Sequence, residues 1–161
     1  MARIPGVIHM PSQAYREWNH VRSVELDQVE SAHTLLGGSA RGRRYTTQQI
    51  NRAYAVLLAS QFQGFARDLH TESVDYLVRI IPHAGFRATM RRELLWNRQL
   101  DIRNANQGTI AGDFARIGIP NFWGQVDAVA RNNHLRRQWL DDLNTWRNAI
   151  AHQSQGFQGA M

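Results

Sequence analysis

The sequence predicts an all-α protein, an up-down bundle of four principal helices with short accessory helices. Two observations predict this class. Apolar residues recur at steps of three and four along most of the chain, and no stretch of useful length alternates apolar and polar residues as a half-buried strand does. With 161 residues the chain fits a single domain over 1–161, and we expect flexible ends at 1–11 and 154–161.

The first two predicted helices are the longest. Ser12 is a suitable N-cap for a helix over about 12–36, which a glycine pair then interrupts. Threonine caps open a second helix over 46–81, and Pro82 ends it. Because this second helix has the most apolar residues in the chain, we expect it at the centre of the bundle.

The rest of the chain predicts shorter elements. A basic helix is expected over 84–98, followed by a loop rich in glycine and asparagine with one helical turn near 111–117. A short helix over 121–134 precedes the final helix over 135–152. Steps of four, four, three and four place one apolar stripe of that final helix toward the core, namely Leu135, Trp139, Leu143, Trp146 and Ile150.

Composition narrows the classes of protein. The chain has no cysteine, which excludes disulfides, thiolate metal sites and cysteine nucleophiles. No apolar run approaches the roughly 20 residues of a membrane span, and residues 1–13 lack a signal-peptide core, so we expect a cytoplasmic protein without membrane contact.

The basic residues are all arginine. Nineteen of them oppose 13 acidic residues and give a formal net charge of +6. Guanidinium groups bind phosphate in a bidentate manner and stack on bases, so this balance favours a nucleic-acid partner. A high-GC coding background would also explain the absence of lysine, whereas the net charge is separate evidence for a polyanionic ligand.

A polar constellation lies on the final helix, within the sequence "WRNAIAHQ". Asp141, Thr145, Asn148 and His152 follow one another at steps of four, three and four and so share a face. Arg147 lies about 140° around the helix from His152, because five residues make one turn plus that remainder. An arginine and a histidine at these positions can therefore meet in two ways. Either the helix end loosens so that His152 turns back, or the arginine meets a histidine of another subunit.

These residue types suit the cleavage of RNA without a metal. His152 lies at the helix C-terminus, and a histidine can both accept and donate a proton. Arg147 suits a phosphate whose negative charge grows during transfer, and Asn148 can orient the imidazole or bind a ribose hydroxyl. The alternative from spacing alone is structural, with Arg147 paired to Asp142 or another helix and His152 capping carbonyls.

The sequence "RNAIAH" resembles the Arg-Asn-x-x-x-His signature of the HEPN superfamily of all-α domains. The stretches "AYAVLLASQFQGFARDLH" and "IAGDFARIGIPNFWGQVDAVARNNHLRRQWLDDL" are similar to the central helix and the pre-motif segment of its bacterial RiboL-PSP branch. The resemblance covers about 45–155.

The resemblance implies a metal-independent endoribonuclease that cleaves RNA by 2′-hydroxyl transesterification, acts as a toxin or phage-defence effector, and has a cognate antitoxin protein. It also implies a homodimer in which two motif helices form a composite cleft. By position, Arg147 would stabilise the phosphate, His152 would act as general base or acid, and Asn148 would be the polar residue after the arginine. Asp141 is added as a supporting residue from periodicity. The alternative is a non-catalytic HEPN module that binds RNA, nucleotide or a partner protein.

Other candidate sites are weaker. The histidines lack the spacing of metal ligands, so neither a metal nor a cofactor is predicted. Four further arginines lie beside aromatic residues, as in many RNA-binding surfaces, although a solvated helix face is the simpler explanation for each pair taken singly. They are Arg43, Arg44, Arg91 and Arg92. Five tryptophans fall mostly on apolar stripes, which indicates packing.

Overall fold

The computed structural model of the protein describes residues 12–37 and 45–152. Every regular element within these ranges is helical, which confirms the all-α class. In chain order the elements are α1 Gln13–Glu17, a π-helical segment Trp18–Arg22, α2 Ser23–Gly37, α3 Tyr45–Val78, α4 Ala84–Leu95, α5 Gln99–Ile102, α6 Gln107–Arg116, α7 Phe122–Val129 and α8 Asn133–Ala151.

The first predicted helix is confirmed as one continuous helical stretch with a π-helical segment in its middle. Two caps fix its start: the Ser12 hydroxyl accepts from the Tyr15 amide at 3.0 Å, and Glu72 of α3 accepts from the Gln13 and Ala14 amides at 2.9 and 3.0 Å. Trp18 then packs edge-on against Phe62 at 6.3 Å between ring centroids. Capping and aromatic packing therefore hold this stretch against α3.

The long helix α3 is the central element, as predicted. It packs against the first helical stretch, α4, α5, α6 and α8. The buried core lies where the second half of α3 meets α5, α6 and α8, and includes Val74, Leu100, Phe114 and Leu140. The flexible ends predicted at 1–11 and 154–161 lie outside the described residues.

The stretch 99–116 differs from the prediction of a long loop with one helical turn. It contains two helices, α5 and α6. The Asn106 side chain caps α6 by accepting from the Thr109 amide, while both carboxylate oxygens of Asp113 accept from the first amides of α5, those of Gln99 and Leu100. The local sequence gives no capping signal for α5, because its cap is Asp113, which lies 13 positions after Leu100.

The predicted core stripe of α8 is wrong in its first half. Trp139 is 65% exposed and Leu135 is also exposed, whereas Leu140, one position further on, is buried. The reason is that α8 meets α3 and α6 through Leu140 rather than through the stripe that the apolar spacing favoured. Trp96 is exposed as well, so packing does not account for every tryptophan. Within the described residues, no helix has both the length and the apolar character needed to cross a membrane.

Candidate functional site

An open cleft of about 770 Å³ lies beside the last turns of α8. The π-helical segment, the middle of α3, the α5–α6 connection and α8 all contribute to its wall. Its charged lining residues are Arg22, Arg67, Arg103, Arg147, Asp68 and Asp101. Four guanidinium groups thus face two carboxylates, so the cleft carries an excess of positive charge.

The arginines of this cleft differ in how their charge is balanced. Arg22 Nη2 lies 2.6 Å from an Asp68 carboxylate oxygen, and Arg67 Nε lies 3.0 Å from one of Asp101. Arg147 forms no ion pair within the part of the chain that the structure describes. The charge of Arg147 is therefore not cancelled by any carboxylate of residues 12–37 and 45–152.

Arg147 is held instead by a neutral amide. Its Nη1 donates to Asn148 Oδ1 at 3.1 Å, and the same oxygen accepts from Asn104 Nδ2 at 2.8 Å. The structural alternative, an ion pair with Asp142, is not observed among the described residues. A half-buried guanidinium that keeps its charge and spare N–H donors is well suited to bind a phosphate.

His152 lies at the C-cap of α8, where its backbone amide donates to Asn148 O at 2.9 Å. Its side chain is exposed and is not part of the cleft wall. Within the described residues, no hydrogen bond joins the side chains of His152 and Arg147. One chain therefore leaves the two residues apart, as expected for positions about 140° apart on a helix.

Asp141 lies away from the cleft. Its carboxylate accepts from Gln107 Nε2 at 2.6 Å, and Gln107 also accepts from Arg137 at 3.1 Å. This side chain therefore contributes to the contact between α6 and α8. Asn148 and Asp141 do share a helix face, as predicted, but they contact different residues of the 104–107 segment.

Of the four further arginines predicted to bind RNA, Arg91 and Arg92 are paired with nearby carboxylates. Arg91 makes two hydrogen bonds to Asp75, at 2.6 and 3.3 Å, and this hydrogen bonding raises the pKa of its guanidinium above the ordinary value. Arg92 pairs with Glu93 at 3.3 Å on an exposed surface. Arg43 and Arg44 lie outside the described residues.

Sequence reasoning missed several residues of the cleft. Arg103 and Asn104 belong to the stretch read as a loop, Arg22 to the first helix, and Asn144 to α8. The sequence "RNAN" at 103–106, with one arginine and two asparagines, was a usable signal, because both side-chain types bind nucleic acids. In residues 12–37 and 45–152, no group of three histidine, aspartate or glutamate side chains could hold a metal ion.

No family model, no curated protein and no solved structure matches the chain.

Proposed function

We propose that the protein is a metal-independent endoribonuclease of HEPN type that binds RNA in the cleft beside Arg147. It acts as a toxin or phage-defence effector and is held in check by a cognate antitoxin protein. The observation that carries the proposal is the state of Arg147: a guanidinium that lines an open cleft, is oriented by a neutral amide and has no carboxylate partner among the described residues.

The reaction uses the RNA's own 2′-hydroxyl. This hydroxyl loses its proton to a base as its oxygen attacks the adjacent phosphorus, and the bond from phosphorus to the 5′-oxygen of the next nucleotide breaks. The leaving oxygen gains a proton, so that one product ends in a 2′,3′-cyclic phosphate and the other begins with a 5′-hydroxyl. His152 acts as general base or general acid, and Arg147 donates to the phosphate oxygens as negative charge builds on them.

A homodimer completes this site. One chain leaves His152 outside the cleft wall, so a histidine from a second copy supplies the proton transfer next to Arg147. The apolar residues Leu135 and Trp139, which α8 leaves exposed, support an interface along this helix. The up-down bundle of a HEPN domain, with α8 as the motif helix, is part of the same proposal.

Cleavage of single-stranded RNA in EDTA tests the activity. We expect wild-type protein to cleave, and His152→Ala to reduce the rate by about 10²–10⁴-fold, the usual contribution of a general acid or base. Arg147→Ala should reduce it similarly. Matched controls are His20→Ala and Arg131→Ala, two exposed residues outside the cleft. Failure of the wild type to cleave diverse RNAs would contradict the proposal, as would full activity of His152→Ala.

Mixing two inactive variants tests the composite site. If Arg147 and His152 act across the dimer, a heterodimer of Arg147→Ala and His152→Ala chains contains one intact site. Random exchange then restores roughly a quarter of the wild-type activity, because half the dimers are mixed and each has one working site. If both residues act within one chain, mixing restores nothing.

A second candidate function is a non-catalytic RNA-binding module. The separation of His152 from the cleft favours it, because Arg147 can bind phosphate without any proton transfer. It predicts that Arg147→Ala weakens RNA binding while His152→Ala leaves binding unchanged. Neither the wild type nor these variants then forms a cyclic phosphate. Growth arrest on expression of wild type but not of His152→Ala would favour the nuclease and toxin proposal over this one.

A further inference from the structure

The connection between α5 and α6 reaches α8 through a pair of carboxamides. Asn104 lies in this connection and donates from Nδ2 to Asn148 Oδ1 at 2.8 Å. Because that oxygen also accepts from Arg147 Nη1 at 3.1 Å, its two lone pairs are both used. The side chain of Asn148 is thus fixed from one side by Asn104 and fixes Arg147 on the other.

The backbone that carries Asn104 is firmly held. Gln63 of α3 accepts from the Ala105 amide at 2.9 Å and donates to the carbonyls of Leu100 and Arg103 at 2.7 and 2.6 Å. Asn144 of α8 donates to the Ala105 carbonyl at 3.2 Å. Ala105 itself is buried in the core. Asn104 therefore extends from a rigid base, which is what a group that orients another side chain requires.

The neutrality of this pair matters for the ligand. A carboxylate at position 148 would hold the guanidinium more strongly, as Asp68 holds Arg22, but it would also cancel the charge that attracts a phosphate. A carboxamide sets the direction of Arg147 and leaves its charge intact. Orientation and charge are both needed when the guanidinium must meet a developing negative charge.

We propose that Asn104 is a positioning residue that acts through Asn148 to orient the phosphate-binding guanidinium of Arg147. The inference rests on the proposed function for the identity of the ligand, an RNA phosphodiester. It adds to that function a residue outside the Arg147–His152 pair, contributed by a separate element of the fold.

The test is the binding of a fluorescent 2′-O-methyl oligoribonucleotide, measured by anisotropy at low salt. This probe lacks the attacking hydroxyl, so binding is measured whether or not the protein cleaves RNA. We expect Asn104→Ala to weaken binding roughly three- to tenfold, the effect of one lost hydrogen bond. In an Arg147→Ala background the same change should have no further effect. Asn132→Ala, an exposed asparagine outside the cleft, is the control.

A second variant separates orientation from charge. Asn148→Asp keeps an acceptor for both donors but places a negative charge next to Arg147, so it should weaken binding and reduce its salt dependence. Equal losses from Asn104→Ala in the wild-type and Arg147→Ala backgrounds would overturn the inference, as would unchanged binding by Asn148→Asp. Coupled binding without cleavage of unmodified RNA supports the inference and refutes the nuclease. Cleavage of unmodified RNA, together with independent effects of Asn104→Ala and Arg147→Ala on binding, supports the nuclease and refutes the inference.

Discussion

Arg98 and Arg147 are the same residue type in opposite environments. The side chain of Arg98 is 8% exposed and donates to both oxygens of Asp101, to the Arg67 carbonyl and to the Thr71 hydroxyl. Among the described residues, Arg147 donates to a single neutral amide oxygen. An arginine whose charge and most of whose donors are used in the fold stabilises the protein, whereas one that keeps both is available to a ligand.

The surroundings of Arg98 form a polar cluster, which comprises the buried residues Arg98, Asp113 and His70 and the exposed Asp101 and which we call the α5 cluster. Asp113 and His70 have no exposed surface. His70 Nε2 donates to the Asp113 carbonyl at 3.1 Å, and Asp113 caps α5. The α5 cluster therefore fixes the start of the connection that carries Asn104. This mainly buried cluster and the open cleft are adjacent parts of one structure that meet at Asp101, and different experiments should perturb each.

The largest expected effect comes from opening the α5 cluster at Asp113. Asp113→Ala leaves two amides at the start of α5 without acceptors and removes the carboxylate 3.8 Å from Arg116. We expect the free energy of unfolding to fall by about 3–5 kcal/mol, because each amide that is buried without an acceptor costs about 1–3 kcal/mol. Urea denaturation followed by circular dichroism measures it.

Asp142→Ala is the matched control for that loss. Asp142 is exposed on α8, so its removal should change stability by no more than about 0.5 kcal/mol. A loss below about 1 kcal/mol for Asp113→Ala would show that the α5 cluster does not contribute to stability in this way.

The second prediction compares the two arginines directly. Arg98→Ala should lower the free energy of unfolding by about 2–3 kcal/mol, because several hydrogen bonds are lost and the half-exposed Asp101 keeps only its ion pair with Arg67. Arg147→Ala should lower it by less than about 1 kcal/mol while weakening RNA binding. Equal losses of stability would contradict the distinction between a structural and a ligand-binding arginine.

The same contrast explains how much could be predicted from the sequence. The helical period and the Pro82 breaker indicated the long helices, and the angle between positions 147 and 152 indicated that a straight helix would keep these side chains apart. Local pattern was sufficient there, because the relevant interactions lie within one helix.

Other features depend on contacts between distant residues. The cap of α5 comes from Asp113, and Asn104 acquires its role only because the chain returns to α8, 44 positions further on. The apolar stripe through Leu135 and Trp139 has a helical period, but these two side chains are exposed. Helix α8 instead faces the core with Leu140. Periodicity predicts a face and not the element that covers it.

The third prediction concerns pH and the α5 cluster. Burial lowers the pKa of His70 below its ordinary 6.5, and the charges of Arg98 and Arg116 act in the same direction, while the carbonyl and charge of Asp113 oppose them. The unfolded chain therefore takes up this proton at a higher pH than the folded chain. The contribution of His70 to the free energy of unfolding is therefore complete above about pH 6.5. It is lost as the pH falls below that value, by at most about 1.4 kcal/mol per pH unit.

Urea midpoints between pH 7.5 and 5 measure this effect. His70→Gln should flatten the profile, since a glutamine can still donate to the Asp113 carbonyl, whereas the exposed control His20→Gln should retain it. Asp101 contributes in a separate, lower range, because the hydrogen bond from Arg98 lowers its pKa below 3.8. An unchanged slope in His70→Gln would rule out His70 as the source of the pH dependence.

The smallest expected effect tests a third kind of arginine, one that lies in the cleft but is bound by a carboxylate. A Cβ on Gly64 would clash with Arg22 Nη1, so Gly64→Ala must displace the guanidinium that pairs with Asp68. Alanine also favours a helix by about 0.5–1 kcal/mol over glycine, so we expect these effects nearly to cancel. In an Arg22→Ala background only the gain remains, and Gly64→Ala should then stabilise the protein by about that amount. Equal effects in both backgrounds would show that Arg22 accommodates the methyl group without cost, and that its pairing with Asp68 does not constrain this wall of the cleft.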